Sequence, residues 1–120
     1  GHDAGDYILK EVTTLILGEL RDGDIFGRWG GEEFCVAFEV VDIESAKNIF
    51  ERLRRTIEDS VFTYTSPDGT RSTIPCTMSI GFTFYHHSEG LDFSEDLKRA
   101  DTALYHSKEN GRNKVTFLNT

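Results

Sequence analysis

The stretch Arg28-Trp29-Gly30-Gly31-Glu32-Glu33-Phe34 limits what this chain can fold into more than any other. It joins two strand-like runs, Ile25-Phe26-Gly27-Arg28-Trp29 and Phe34-Cys35-Val36-Ala37-Phe38. A pair of glycines between such runs predicts a tight hairpin, because its turn needs positive φ and glycine supplies it without steric cost. A bare backbone there also lets a bulky ligand come close. The carboxylates that open the second strand are oxygen donors of the kind that hold a hard cation. The chemical reading of the stretch is a phosphate-bearing substrate on Mg2+ beside a glycine turn, set against the plainer reading of a solvated hairpin with two exposed glutamates.

The remaining elements follow from periodicity. Ile8, Leu9, Val12, Leu15, Ile16 and Leu20 recur at helical spacing and predict a helix from about Asp6 to Leu20. Phe34 to Phe38 is apolar at every position and reads as a strand buried on both faces. Ala46, Ile49, Phe50, Leu53 and Ile57 mark a second amphipathic helix. The turn Ser66-Pro67-Asp68-Gly69 joins a strand near Val61–Tyr64 to a longer one near Thr73–Tyr85. Ser88-Glu89-Gly90 opens a loop after His86-His87, a pair read as surface histidines. Leu97, Ala100, Ala103 and Leu104 give the last helix, with Gly111 as its C-cap, and Val115 to Leu118 a closing strand. This order predicts one α/β domain over 1–120, an α+β sandwich with a mostly antiparallel central sheet flanked by helices.

Composition narrows the partners. A net charge of −8 argues against a broad nucleic-acid surface, though not against a nucleotide that arrives with its metal. No apolar run is long enough to span a membrane, so no membrane contact is expected of this domain. Cys35 and Cys76 lack metal-type spacing and read as free thiols, which fits a cytoplasmic location.

Five segments, in order, resemble the GGDEF family, whose members make cyclic di-GMP from GTP. They are Gly1-His2-Asp3-Ala4-Gly5-Asp6, Arg21-Asp22-Gly23-Asp24, the GGEEF form of the signature at residues 30–34, Met78-Ser79-Ile80-Gly81, and Arg99 to Tyr105 followed by Lys108 to Asn113. The resemblance implies a nucleotidyl cyclase or polymerase-palm arrangement with the glycine hairpin beside a metal site. It also implies that the chain covers the C-terminal roughly three quarters of the family's domain. A strand with a metal-binding aspartate and a helix with a guanine-contacting asparagine would lie before Gly1.

The resemblance assigns roles residue by residue. Glu32 would hold Mg2+ or Mn2+. Glu33 faces the other way along a strand, so it either assists the attacking 3′-hydroxyl or bonds the turn backbone. Gly30 and Gly31 would let the turn lie against the nucleotide. Asp6 reads as a helix N-cap on composition, and as the guanine contact by resemblance, with Leu9 in the same pocket. Lys108 and Arg112 read as cations at a helix C-terminus, and by resemblance as contacts to the terminal phosphates. Arg21 and Asp24 match the family's RxxD product-inhibition site, with Arg52 a secondary product contact. As a plain sequence they are a polar loop and a solvent-facing helix residue.

Three functional readings follow. The first is a diguanylate cyclase, which needs at least a transient homodimer because each copy holds half of the reacting pair. The second is an inactive module that senses GTP or cyclic di-GMP. The third is a cyclase of mixed nucleotide specificity. The resemblance further implies a sensory or receiver domain elsewhere in the parent protein.

Overall fold

A computed structural model describes residues 2–30, 33–85 and 93–119. The elements are α1 (His2–Glu19), β1 (Ile25–Gly30), β2 (Glu33–Ala37), α2 (Ile43–Asp59), β3 (Phe62–Thr65), β4 (Arg71–Ile74), β5 (Ile80–Phe82), α3 (Phe93–Glu109) and β6 (Val115–Phe117). The core forms where α1 and α2 bring their apolar stripes together. Val12 and Ile16 of α1 meet Leu53 and Ile57 of α2, and Phe62 and Ile80 complete the cluster. The start of α2 is fixed by Asp42, whose carboxylate accepts from the Ser45 N–H at 2.8 Å. That bond satisfies one of the orphan donors of the first helical turn and holds the Asp42 carboxyl below its usual range.

Among the described residues the strands pair in three separate twos. β1–β2 and β3–β4 are antiparallel, and β5–β6 is parallel. The expected single, mostly antiparallel central sheet is therefore corrected: among the described residues β2 and β5 carry no ladder between them, and both line the same groove. The long strand expected over Thr73–Tyr85 is also two. Pro75 sits at the break, where its missing N–H ends the ladder with β3. Beyond it the chain changes partner and β5 pairs with β6. The β2 strand is half-buried throughout and not sealed on both faces, because its residues wall the groove. The loop expected from Ser88, and the His86-His87 pair before it, lie outside the described residues.

α3 packs on β5 and β6 at very short range. Ser107 is fully buried in that contact, its Oγ 2.8 Å from the Ile80 carbonyl and 2.6 Å from the Thr116 hydroxyl. A buried hydroxyl without partners is costly, and these two bonds remove that cost while tying the helix to both strands. A chain of tilted rings, Phe38–Phe50–Phe82–Phe117, runs beside it with centroids 4.8–5.3 Å apart. Among the described residues no helix is long and apolar enough to cross a membrane.

Candidate functional site

The hairpin at the signature has an irregular register. Residues pair Ile25↔Ala37 through Arg28↔Phe34, and then Gly30↔Glu33. Trp29 is the extra residue, a bulge that bends the strand just before the glycines and leaves the indole largely exposed. Gly30 ends β1 and Glu33 opens β2. Gly31 and Glu32, the latter the expected metal ligand, lie outside the described residues.

A groove of about 1060 Å3 runs from this hairpin between β2, β5, α1 and α3. It has two unlike parts. Its floor is apolar, with Val36, Met78, Ile80 and Phe82 among the lining residues. Its charged lining includes Glu33, Lys108 and Arg112. Lys108 Nζ lies 3.3 Å from Glu33 Oε1, with both side chains about one-third exposed. The contact joins the end of α3 to the start of β2. Among the described residues the Glu33 carboxylate meets a cation, that of Lys108. Leu9 also lines the groove.

Lys108 and Arg112 do not share a helix, as their spacing had implied. α3 ends at Glu109, Gly111 turns left-handed with φ 113°, and Arg112 follows at φ 61°. The Arg112 N–H reaches back to the Ser107 carbonyl at 2.9 Å, the six-to-one bond of a Schellman cap. Gly111 is thus the C-cap expected of it. Arg112 is exposed, and among the described residues its guanidinium makes no hydrogen bond or ion pair.

Asp6 is not an N-cap. α1 starts at His2, four residues earlier than its apolar spacing indicated, which puts Asp6 inside the helix with an exposed carboxylate. Asp6 is not itself among the groove-lining residues, although its neighbour Gly5 and Leu9 are.

Arg21, Asp24 and Arg52 stand apart from the groove lining. Arg21 and Asp24 close a turn on each other. The Asp24 N–H donates to the Arg21 carbonyl at 3.0 Å, and the Arg21 N–H donates to Asp24 Oδ2 at 2.7 Å. The Arg21 side chain stays 66% exposed, although its Nη2 donates to the Glu39 carbonyl at 2.8 Å and its Nε lies 3.7 Å from Asp24 Oδ2. Arg52 is a solvent-side helix residue that donates to Glu19 Oε2 at 2.7 and 3.1 Å.

Among the described residues no group of three or more His, Cys, Asp or Glu is gathered as a metal cage. Mg2+ does not require one: it takes one or two carboxylates and fills its shell with phosphate oxygens and water. Glu33 and the adjacent Glu32 are of that chemistry, and no thiol or imidazole competes among the described residues. Cys35 lines the groove, but burial pushes its thiol pKa up and keeps it protonated.

Sequence reasoning missed Arg54. Its side chain is 15% exposed, and its guanidinium reaches from α2 to Asn113, just beyond Arg112. The only signal was its spacing to Glu51 and Glu58, three and four residues away, which reads as helix-surface pairing.

A family model, diguanylate cyclase, GGDEF domain, matches residues 1–114. The chain belongs to the GGDEF family. Diguanylate cyclase A of Treponema denticola is 39% identical over 118 residues, which is 98% of this chain and 30% of that protein. The cyclic di-GMP phosphodiesterase NbdA of Pseudomonas aeruginosa is 36% identical over 118 residues, 98% of this chain and 14% of that protein. The diguanylate cyclase SiaD of Pseudomonas aeruginosa, solved with its activator SiaC, superposes with a TM-score of 0.82 at 34% identity, covering 98% of this chain and 43% of that one. The coiled coil and GGDEF domain of DgcB from Caulobacter crescentus, solved with c-di-GMP, has a TM-score of 0.78 at 26% identity, covering 98% and 60%. This chain therefore spans about a third or less of the curated relatives it matches.

Proposed function

We propose that this GGDEF domain condenses two GTP molecules into cyclic di-GMP, releasing two pyrophosphates. The 3′-hydroxyl of each nucleotide attacks the α-phosphate of the other, and pyrophosphate leaves from each. The observation that carries the reading is the groove that takes Leu9, Glu33, Lys108 and Arg112 into one lining, in a chain homologous to diguanylate cyclases. Asp6 accepts from the guanine N1–H and 2-amino groups, a donor pair that adenine lacks, and Leu9 lines the base pocket. Gly30 and Gly31 let the backbone approach the nucleotide. Lys108 supplies a point charge to the terminal phosphates, and Arg112 a fork suited to their oxygens. Glu32 would hold Mg2+ or Mn2+, which would supply charge compensation for the triphosphate and acidify the attacking hydroxyl. Triphosphate entry exchanges Glu33 for phosphate oxygens on Lys108 and frees the Glu33 carboxylate beside the 3′-hydroxyl.

The reacting pair is completed by a second copy of the domain, at least transiently. The apolar floor between β2 and β5 is too greasy for a triphosphate, and we assign it to a strand from another part of the protein. The remaining length of the relatives leaves room for a sensory or receiver domain, and the free thiols suit a cytoplasmic setting.

The test is turnover by the full-length protein with GTP and Mg2+, read by chromatography, with ATP alone and mixed with GTP as specificity controls. Cyclic di-GMP formation is expected from GTP alone. GTP binding without product would favour the second reading, a sensor domain. That reading draws support from the comparable domain inside a relative named as a phosphodiesterase.

Cyclic di-GMP also binds, in this proposal, at Arg21 and Asp24 with Arg52 nearby, away from the groove. Arg21→Ala is expected to weaken product binding by roughly 3 kcal/mol or more, given about 1.5–3 for each lost charge-assisted bond. GTP affinity should stay nearly unchanged. Calorimetry with both ligands decides it: equal loss of both affinities makes Arg21 a support of the fold, and unchanged product binding makes the RxxD match accidental.

A further inference from the structure

Three consecutive residues after α3 have left-handed backbone: Gly111 at φ 113°, Arg112 at 61° and Asn113 at 49°. Glycine takes this region freely, but an arginine does not, and two non-glycine residues in succession are uncommon. The Schellman bond accounts for Gly111, the position at which that cap needs left-handed backbone. It does not account for Asn113, which is held from three other directions. Its N–H donates to Ser79 Oγ at 3.1 Å, its Oδ1 accepts from Arg54 Nη1 at 2.9 Å, and its Nδ2 donates to Glu58 Oε2.

Arg54 is itself fixed before it reaches Asn113. Its Nε and Nη2 donate to the two Glu51 oxygens at 3.0 and 3.1 Å, and Nη1 also donates to Glu58 at 2.8 Å. A planar fork engaged on both edges has little freedom left. The Asn113 amide and Arg54 hold Glu58 below the usual carboxylate range, and the Arg54 bonds do the same for Glu51. The whole set stays charged and locked at neutral pH. No such network touches the guanidinium of Arg112 among the described residues. The structure thus spends its bonds on Asn113 and leaves its neighbour Arg112 unpaired at the groove.

We propose that Arg54 is a positioning residue for the triphosphate: acting through Asn113, it holds the left-handed turn that aims Arg112 into the groove. This rests on the nucleotide reading given above. Arg54 does not touch the phosphates. Without its fork, Asn113 loses one of the bonds that select its backbone region, and Arg112 samples directions away from the groove.

The test uses the full-length protein with GTP and GMP as probes, in Arg54→Ala, Arg112→Ala and the double variant, with melting temperatures recorded. Arg54→Lys, which keeps the charge without the fork, and Asn113→Gly, which keeps the backbone region without the amide, cover the case in which Arg54→Ala does not fold. Arg54→Ala is expected to weaken GTP binding about tenfold, the scale of one displaced charge-assisted contact. GMP affinity should be unchanged, since GMP lacks the outer phosphates. KM should rise more than kcat falls. The double variant should bind GTP no worse than Arg112→Ala alone, because the first effect runs through the second residue. Additive losses, or a lowered melting temperature with unchanged GTP affinity, overturn the proposal and make Arg54 a structural brace. An Arg112→Ala protein that binds GTP as wild type does overturns the phosphate assignment, and the positioning role with it.

Discussion

Glu32→Gln is expected to abolish cyclic di-GMP synthesis, a loss of at least about a thousandfold, since metal stabilisation of transition-state charge supplies several kcal/mol. The amide keeps the size and shape of the glutamate and removes only the charge that holds the cation. Its chain position supports the assignment: in sequence it stands next to Glu33, which lines the groove together with Lys108 and Arg112. A neutral amide there binds Mg2+ weakly and leaves the triphosphate charge uncompensated. The variant should fold as wild type does, because the hairpin ladder from Ile25↔Ala37 to Arg28↔Phe34 does not involve residue 32. Two measurements separate a metal role from a structural one. Turnover should vanish, and the gain in GTP affinity that Mg2+ gives the wild type over EDTA should shrink in the variant. Turnover at the wild-type rate sinks the metal assignment. Lost turnover with an intact Mg2+ effect on GTP binding moves Glu32 from metal ligand to another catalytic role.

The hairpin, the three helices and the turn at Ser66–Gly69 were legible because each is written locally: glycines where positive φ is needed, apolar residues at a period of 3.6, and turn residues between strands. The joins between elements were not. The sequence shows Pro75 in the long apolar run, but that the chain changes partner there, from β3 to β6, is a tertiary fact. The start of α1 was misplaced because its first turn, with Asp3, Ala4 and Gly5, carries no apolar stripe to mark it. At the site, residue types were legible and their pairings were not. Glu33 facing Lys108 joins positions far apart in the chain, and the Arg54–Asn113 bond spans 59 residues. A spacing rule that looks three or four residues ahead sees only the Arg54 contacts to Glu51 and Glu58. It cannot see that the same fork leaves its helix to hold the turn beside Arg112.

Gly81→Ala is expected to cost about 3 kcal/mol or more, at or beyond the upper end of ordinary overpacking, because what it strikes is backbone. A methyl group at Gly81 would stand 2.0 Å from the Leu104 nitrogen, 2.5 Å from the Leu104 Cα and 2.6 Å from the Ala100 carbonyl oxygen. None of these atoms can swing aside as a side chain does, so β5 and α3 must separate. Separation breaks more than one contact. It pulls Ile80 from the Ser107 hydroxyl, disturbs the β5–β6 ladder beside it, and opens the ring stack at Phe82. A domain of this size has a total stability of about 5–15 kcal/mol, so the variant sits near its unfolding threshold. At roughly 4 °C per kcal/mol, its melting temperature should fall by about 12 °C or more. Gly18→Ala is the control. Gly18 is exposed near the end of α1 with nothing within 4 Å of the added methyl, so alanine there should stabilise the helix by up to about 1 kcal/mol. The two substitutions add the same atom, and their opposite signs separate steric contact from helix propensity. A Gly81→Ala protein that melts within a degree or two of wild type would mean that α3 does not lie against β5 at backbone range. The groove wall they form together, and the placement of Lys108 at its rim, would then need to be redrawn.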